Sequence, residues 1–161
     1  MADDTTGWLF VAAQAVLLVA IVLTPSADLW ERPIWLMTIA GVLVVAGIVI
    51  AAIAALGLGA GLTASPVPNA AGELQTDGLY RLVRHPVYLG LILALTGAAL
   101  RSGSAVTVGL VIATITFFAV KARWEERRLA DRYPDYPAYA AQTPRFVPNP
   151  VRLIRPSSAT S

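Results

Sequence analysis

The sequence predicts an all-α integral membrane protein, a helical bundle with about four transmembrane helices. Of its 161 residues, 57% are hydrophobic, and the mean hydropathy is +0.66. Only 14% are charged, well below the roughly 25% of an average soluble domain. Four apolar segments are separated by short polar stretches. The length suits one domain over residues 1–155, followed by a disordered tail at 156–161.

The first two apolar segments are predicted to be full transmembrane helices. Residues 8–24 are apolar apart from Gln14 and a terminal threonine, and they approach the ~17 residues that a bilayer requires. Residues 33–62 are longer and rich in glycine and alanine, which permits tilt and close helix packing. The N-terminus lacks the basic region of a secretory signal, so we expect the first segment to be a retained helix.

The third and fourth segments, residues 87–100 and 105–120, predict a tight antiparallel hairpin. The polar turn RSGS joins them, and residues 87–100 would extend only roughly 21 Å as a helix, less than the ~30 Å hydrocarbon core. The fourth segment continues without a breaker into KARWEERRLADRY. It therefore predicts one long helix that leaves the membrane and ends near Pro134.

The lysines and arginines predict the orientation of the chain. Most of the 12 lie in the loop 63–86 or in the segment 121–155, and short loops rich in these residues stay in the cytoplasm. Both termini and the loop 63–86 are therefore expected to be cytoplasmic. The excess of arginine over lysine, with much alanine, glycine and valine, is typical of a GC-rich genome and favours a bacterial cytoplasmic membrane.

Composition also excludes several kinds of site. The chain has no cysteine, which excludes disulfides, thiolate metal sites and a cysteine nucleophile. A single histidine argues against a zinc site, and we expect neither a metal nor a nucleic acid as partner. The stretch GLGAGL at 57–62 departs from G-x-G-x-x-G at its last position and follows no strand, so it indicates helix packing. The oligomeric state stays open.

The polar residues around Pro86 predict a site at the membrane surface. Pro86 disfavours helix at His85 and suits the first turn of a helix. Tyr88 falls in that turn, so it can converge with His85 and the free amides on a polar ligand. The alternative is an interfacial anchor. The glutamates of EERR at 125–128 are, taken alone, most simply a solvated helix face, but the hairpin would bring Glu125 to the same surface.

The basic residues have a second interpretation. Arg81, Arg84 and the basic segment after residue 120 can equally act as topology determinants that bind the anionic headgroups of membrane lipids.

Two stretches resemble the membrane-integral isoprenylcysteine carboxyl methyltransferases and the related phospholipid methyltransferases. They are LQTDGLYRLVRHPVYLG and, after the apolar hairpin, EERRLADRYPDYPAYAAQTPRFVP. These look like the family's G-x-Y-x-x-x-R-H-P-x-Y-x-G motif, its paired glutamates, and its Y-x-x-Y and R-F-x-P-like ending. The ordered combination covers roughly the C-terminal 85 to 100 residues and is specific, although each piece alone is weak.

The resemblance implies an S-adenosylmethionine pocket without a Rossmann fold, formed between the last helices and the C-terminal segment. The cofactor-binding residues that it implies are Glu73, Leu74, Gln75, Tyr80, His85, Pro86, Tyr88 and Glu125. We predict Arg84 and Glu126 as catalytic residues. If the acceptor is an amine or a hydroxyl, Glu126 or His85 would be the base, whereas an anionic acceptor needs none.

Lys121 falls where the eukaryotic carboxyl methyltransferases have an arginine near the lipophilic substrate. Lysine keeps the charge but loses the bidentate fork that suits a carboxylate. The predicted function is methyl transfer to a lipophilic small molecule or lipidated group from the bilayer, either an isoprenylcysteine-type carboxylate or a related lipid. Two alternatives remain: an NADPH-dependent membrane reductase of the sterol-reductase type, which resembles this family in its C-terminal half, and a non-catalytic membrane scaffold.

Overall fold

The computed structural model describes residues 2–58 and 74–148, and within these ranges it contains helices and no strand. The helices are α1 (Ala2–Leu23), α2 (Ile34–Leu58), α3 (Pro86–Ser102), α4 (Ala105–Arg132) and α5 (Tyr136–Gln142), with one 3₁₀ turn at Gly78–Arg81. The all-α prediction is thus confirmed. Several predicted segments lie partly outside the described residues: the second helix (59–62), the loop predicted to be cytoplasmic (63–73) and the C-terminal segment (149–155). The predicted tail (156–161) lies wholly outside them.

Three of the described helices are long and apolar enough to cross a membrane. They are α1, α2 and α4, whereas α3 is a shorter apolar helix of 17 residues. α1 begins before the predicted residue 8 and includes Gly7; residues 2–7 contain no proline that would break the helix. α4 continues to Arg132 and gives way to extended backbone at Tyr133, just before Pro134. This confirms the prediction of one long helix that ends near Pro134. A proline disfavours helix at the residue before it.

The turn between α3 and α4 consists of Gly103 and Ser104, as a tight hairpin requires. Gly103 caps α3 with a left-handed backbone (φ 62°), a conformation that glycine adopts without steric cost. The Ser104 hydroxyl caps α4 by accepting the amide hydrogen of Thr107. The loop between α1 and α2 covers the turn, because the amides of Ala27 and Leu29 donate to the carbonyls of Ser102 and Gly103.

Helix contacts follow the order α2, α3, α4, α1 across the bundle. α2 and α3 approach most closely where Gly47 faces Gly90 and Ala40 faces Gly97. A β-carbon on Gly90 would lie 2.5 Å from the carbonyl oxygen of Gly47 and 2.6 Å from the amide nitrogen of Ala51. The small residues of the second apolar segment therefore allow backbone contact between the two helices.

Gly90→Ala is expected to lower the free energy of unfolding by about 1–3 kcal/mol, because the added methyl group forces α2 and α3 apart. Gly109→Ala is the matched control, since nothing lies within 4 Å of a β-carbon at that helical position. Reversible unfolding of both variants in mixed detergent micelles measures the difference. Equal stability of the two variants would show that the α2–α3 contact is looser than described.

Candidate functional site

The candidate site lies at the end of the bundle opposite the α3–α4 turn, where α3 begins. Its base is apolar: Tyr88, Phe118 and Ala122 are buried together, with Phe146 packed against them. The ring of Tyr88 lies parallel to that of Phe118, with centroids 4.9 Å apart, and parallel to that of His85 at 5.3 Å. Offset parallel rings at these distances stabilise one another, so the stack fixes the orientation of His85.

His85 lies between the carboxylates of Glu125 and Glu126 on α4. The Tyr88 hydroxyl donates a hydrogen bond of 2.5 Å to Glu125 Oε1. His85 Nδ1 is 3.6 Å from Glu125 Oε2, and His85 Nε2 is 3.1 Å from Glu126 Oε1. The structure therefore brings together His85, Tyr88 and Glu125, as the sequence predicted. It does so because Pro86 starts α3 immediately after His85.

Glu126 is surrounded by cationic side chains. Arg145 binds both of its oxygens, at 2.8 Å from Nε and 2.6 Å from Nη2, and Arg84 Nη2 is 3.3 Å away. A bidentate pair of this kind is among the stronger side-chain interactions. The hydrogen bonds to Glu126 raise the pKa of the Arg145 guanidinium, so Arg145 stays charged.

The simplest interpretation of EERR, a solvated helix face, is wrong for its two glutamates. The side chains of Glu125 and Glu126 are only 14% and 12% exposed. The second arginine of EERR contacts an aromatic ring, because the Arg128 guanidinium lies 3.3 Å from the centroid of the Trp124 ring.

The segment after α5 lies across His85. The amides of Arg84 and His85 donate to the carbonyls of Pro144 and Arg145, at 2.9 and 3.2 Å, and the Phe146 ring is 5.9 Å from that of His85. Sequence reasoning did not name Arg145 as a site residue. Its one signal was the R-F-x-P-like ending, which did not reveal the partner of the arginine.

α5 is held against the loop that carries Tyr80 and Arg84. The Tyr139 hydroxyl donates to the Tyr80 carbonyl at 2.6 Å, and Arg84 Nη1 donates to the Ala140 carbonyl at 3.2 Å. Burial raises the pKa of Tyr139 to about 12, so the hydroxyl keeps the proton that it donates. Arg84 thus connects α5 with Glu126, and the Tyr80 hydroxyl binds the Ala54 carbonyl of α2 at 3.3 Å.

Lys121 is buried one helical turn before Glu125. Its Nζ donates a 2.7 Å hydrogen bond to Gln14 Oε1 of α1 and lies 5.4 Å from the centroid of the Tyr88 ring. Gln14 is a site neighbour that sequence reasoning missed. Its isolated polar side chain within an apolar helix was the signal, but the sequence did not indicate its partner.

The remaining predicted residues are less closely involved. Pro86 is buried as the first residue of α3. Leu74 and Gln75 are half-buried ahead of the 3₁₀ turn, and the hydrogen bonds described above for the cluster include neither of them. Glu73 lies outside the described residues.

Two buried polar atoms next to the cluster have no hydrogen-bond partner in the part of the chain that the structure describes. They are Arg84 Nε and the Tyr136 hydroxyl. Tyr136 precedes Ala140 by one turn of α5, and Ala140 is the residue that accepts from Arg84, so Tyr136 and the Arg84 contact share one face. Buried polar groups are rarely left unpaired, and this pair therefore suits a polar ligand.

No group of three histidine, aspartate or glutamate side chains within residues 2–58 and 74–148 is arranged to hold a metal ion.

Comparison with known proteins gives one family and two relatives. The model of the phospholipid methyltransferase family matches residues 35–136. The cobalt-zinc-cadmium resistance protein CzcN of Cupriavidus metallidurans is 38% identical over 76 residues, which are 47% of this chain and 35% of that protein. The nickel-cobalt-cadmium resistance protein NccN of Alcaligenes xylosoxydans xylosoxydans is 30% identical over 87 residues, 53% of this chain and 40% of that protein. The matches thus span less than half of either relative, and no solved structure matches the chain.

Proposed function

The chain belongs to the phospholipid methyltransferase family, and on this basis we propose that it is an integral membrane methyltransferase that uses S-adenosylmethionine and acts on a lipophilic acceptor. The observation that carries the proposal is the buried contact of Glu125 with Tyr88 and His85 at the end of the bundle. A carboxylate kept from water at that position suits a cationic ligand, because its charge acts through a medium of low dielectric constant.

S-adenosylmethionine supplies a methyl group carried on a sulfonium cation. We assign Glu125 to hold that positive charge and Tyr88 to orient Glu125 through its hydroxyl. The faces of aromatic rings such as those of Tyr80 and Tyr88 can also stabilise a cation. The ring of Tyr88 instead packs parallel to His85 and Phe118, and the Tyr80 hydroxyl binds α2, so we give the electrostatic role to the carboxylate.

Glu126 is a poor candidate for a general base. Its bidentate hydrogen bonds from Arg145 and its contact with Arg84 stabilise the ionised form, which lowers its affinity for a proton. We therefore assign Glu126 to positioning: it fixes Arg145, and with it the segment that lies across His85. An amine or hydroxyl acceptor would then leave His85 as the candidate base, whereas an acceptor that arrives already ionised requires none.

The unpaired donors of Arg84 and Tyr136 fit the polar part of the cofactor. Arg84 Nε and the Tyr136 hydroxyl are both buried beside the cluster, and both donate hydrogen bonds. The carboxylate or the ribose of the cofactor would satisfy them. In this assignment Glu125 binds the charged sulfur of the cofactor, and Arg84 and Tyr136 bind its oxygen-rich end.

Tyr136→Phe is expected to weaken binding of S-adenosylhomocysteine by about 3- to 10-fold, the range for loss of one hydrogen bond. Thr107→Val is the matched control, because its hydroxyl is equally buried and unpaired among the described residues but lies in the first turn of α4, at the other end of the helix. Calorimetric titration of both variants measures the effect. Equal affinities would remove Tyr136 from the site.

The proposed function is tested by titrating the detergent-solubilised chain with S-adenosylhomocysteine and, separately, with NADPH. We expect heat of binding for the first ligand and none for the second. Binding of NADPH alone would favour the reductase alternative, and binding of neither would favour the scaffold.

A further inference from the structure

Lys121 is a buried cation on the apolar helix α4. It follows the predicted span 105–120 directly, and only 4% of the residue is exposed. A buried charge is costly unless it is paired. Among the described residues, its Nζ makes one hydrogen bond, to Gln14 Oε1 at 2.7 Å. An ammonium group has three donors, so two remain for other partners.

Gln14 reaches Lys121 because α1 is fixed against α4. Phe10, one turn before Gln14 on the same face of α1, packs against Phe117 and Trp124 with ring centroids 5.8 and 5.2 Å apart. The family match begins at residue 35, so Gln14 lies outside the part of the chain that the family defines.

Lys121 lies on the side of the polar cluster from which a ligand would arrive through the bilayer. Lys121 precedes Glu125 by one turn, on the side of the hairpin turn, and its ammonium lies 5.4 Å from the Tyr88 ring centroid. A molecule that reaches the polar cluster from the apolar interior therefore meets a positive charge before the carboxylate of Glu125.

We infer that Gln14 is a positioning residue, which holds the Lys121 ammonium beside Tyr88 so that Lys121 binds the anionic head of a lipophilic acceptor. This inference rests on the proposed function and further specifies that the acceptor is anionic. A neutral amide at position 14 orients the ammonium without adding a second carboxylate beside it, so Gln14 does not itself neutralise the charge. A glutamate at position 14 would instead compete with the ligand for the ammonium.

A purely structural tie between helices is the competing explanation, since polar side chains hydrogen-bond across membrane helices for stability alone. The two explanations predict different effects when the Gln14 side chain is removed. Loss of a structural tie lowers stability and cofactor affinity together, whereas loss of a positioning residue lowers the preference for an anionic lipid and leaves S-adenosylhomocysteine binding intact.

The test uses dibromostearate, a lipophilic anion that quenches tryptophan fluorescence, and its uncharged methyl ester, each titrated into the full chain in neutral detergent micelles. We expect the wild type to bind the anion at least about tenfold more tightly than the ester, because one charge-assisted hydrogen bond increases affinity by about that factor. Lys121→Met should abolish this preference, and Lys121→Arg should retain it. Gln14→Leu should reduce it about threefold or more, while Thr38→Val, which alters an exposed threonine of α2, should leave it unchanged.

Equal affinity for the anion and the ester, including no binding of either, would overturn the inference. The inference would also be overturned if Gln14→Leu preferred the anion over the ester as strongly as the wild type does. A fall in both stability and S-adenosylhomocysteine affinity in Gln14→Leu would overturn it as well. If the wild type shows the preference for the anion but binds no S-adenosylhomocysteine, the proposed function fails and the anion site stands.

Discussion

Glu125→Gln is expected to weaken binding of S-adenosylmethionine by about 30-fold or more, the loss that follows removal of one partner from a buried charge pair. Glutamine keeps the shape of the side chain and can still accept the hydrogen bond from Tyr88. It provides no negative charge opposite the sulfonium. S-adenosylhomocysteine, whose sulfur is uncharged, should therefore lose much less affinity, and the ratio of the two affinities is the quantity to measure by calorimetry.

The control for this substitution is Glu31→Gln, which removes a carboxylate from an exposed position in the loop between α1 and α2. Its affinities should match those of the wild type. If Glu125→Gln lowered the affinity for both ligands equally, Glu125 would shape the site without interacting with the charge of the sulfonium. Unchanged affinities would remove Glu125 from the site.

Glu126→Gln is expected to lower the free energy of unfolding by about 3–5 kcal/mol, because it leaves cationic partners half-buried without their anion. Arg145 binds both oxygens of Glu126, and Arg84 and His85 contact Oε1. Unfolding in mixed micelles measures the change. The segment around Arg145 should also become accessible to protease, since this pair secures it.

The double variant Glu126→Gln with Arg145→Met provides the control, because it removes the guanidinium that the first substitution leaves unpaired. It should be less destabilised than the sum of the single variants, with a coupling energy of about 0.5–3 kcal/mol. Additive effects would show that the two side chains do not depend on each other, and the pair would then have no role in holding the C-terminal segment.

The elements that the sequence predicted best are those set by local chemistry. Pro86 determines where α3 starts, and the RSGS turn contains the glycine that the left-handed position of Gly103 needs. The run from residue 105 to Arg132 contains one glycine and no proline, so it forms a single helix. In each case the deciding residue is in the element itself or next to it.

The contacts that the sequence did not reveal join distant parts of the chain. Arg145 reaches Glu126 because the chain reverses after α4 and passes through α5, a seven-residue helix too short to show a helical period. Gln14 and Lys121 are 107 positions apart, and their contact depends on how α1 packs against α4. Pro86, the hairpin and the resemblance to a family located His85 and Glu125. None of them showed that Tyr88 binds the carboxylate through its hydroxyl.

The central claim is that the cluster of His85, Tyr88 and Glu125 serves methyl transfer to a membrane-borne acceptor. The most direct test incubates bacterial membranes containing the protein with S-adenosylmethionine labelled in its methyl group and measures label in the organic extract. We expect label to enter this fraction with the wild type, and to fall to the level of membranes without the protein with Glu125→Gln. Label at that background level with the wild type, or equal label with both proteins, would contradict the claim.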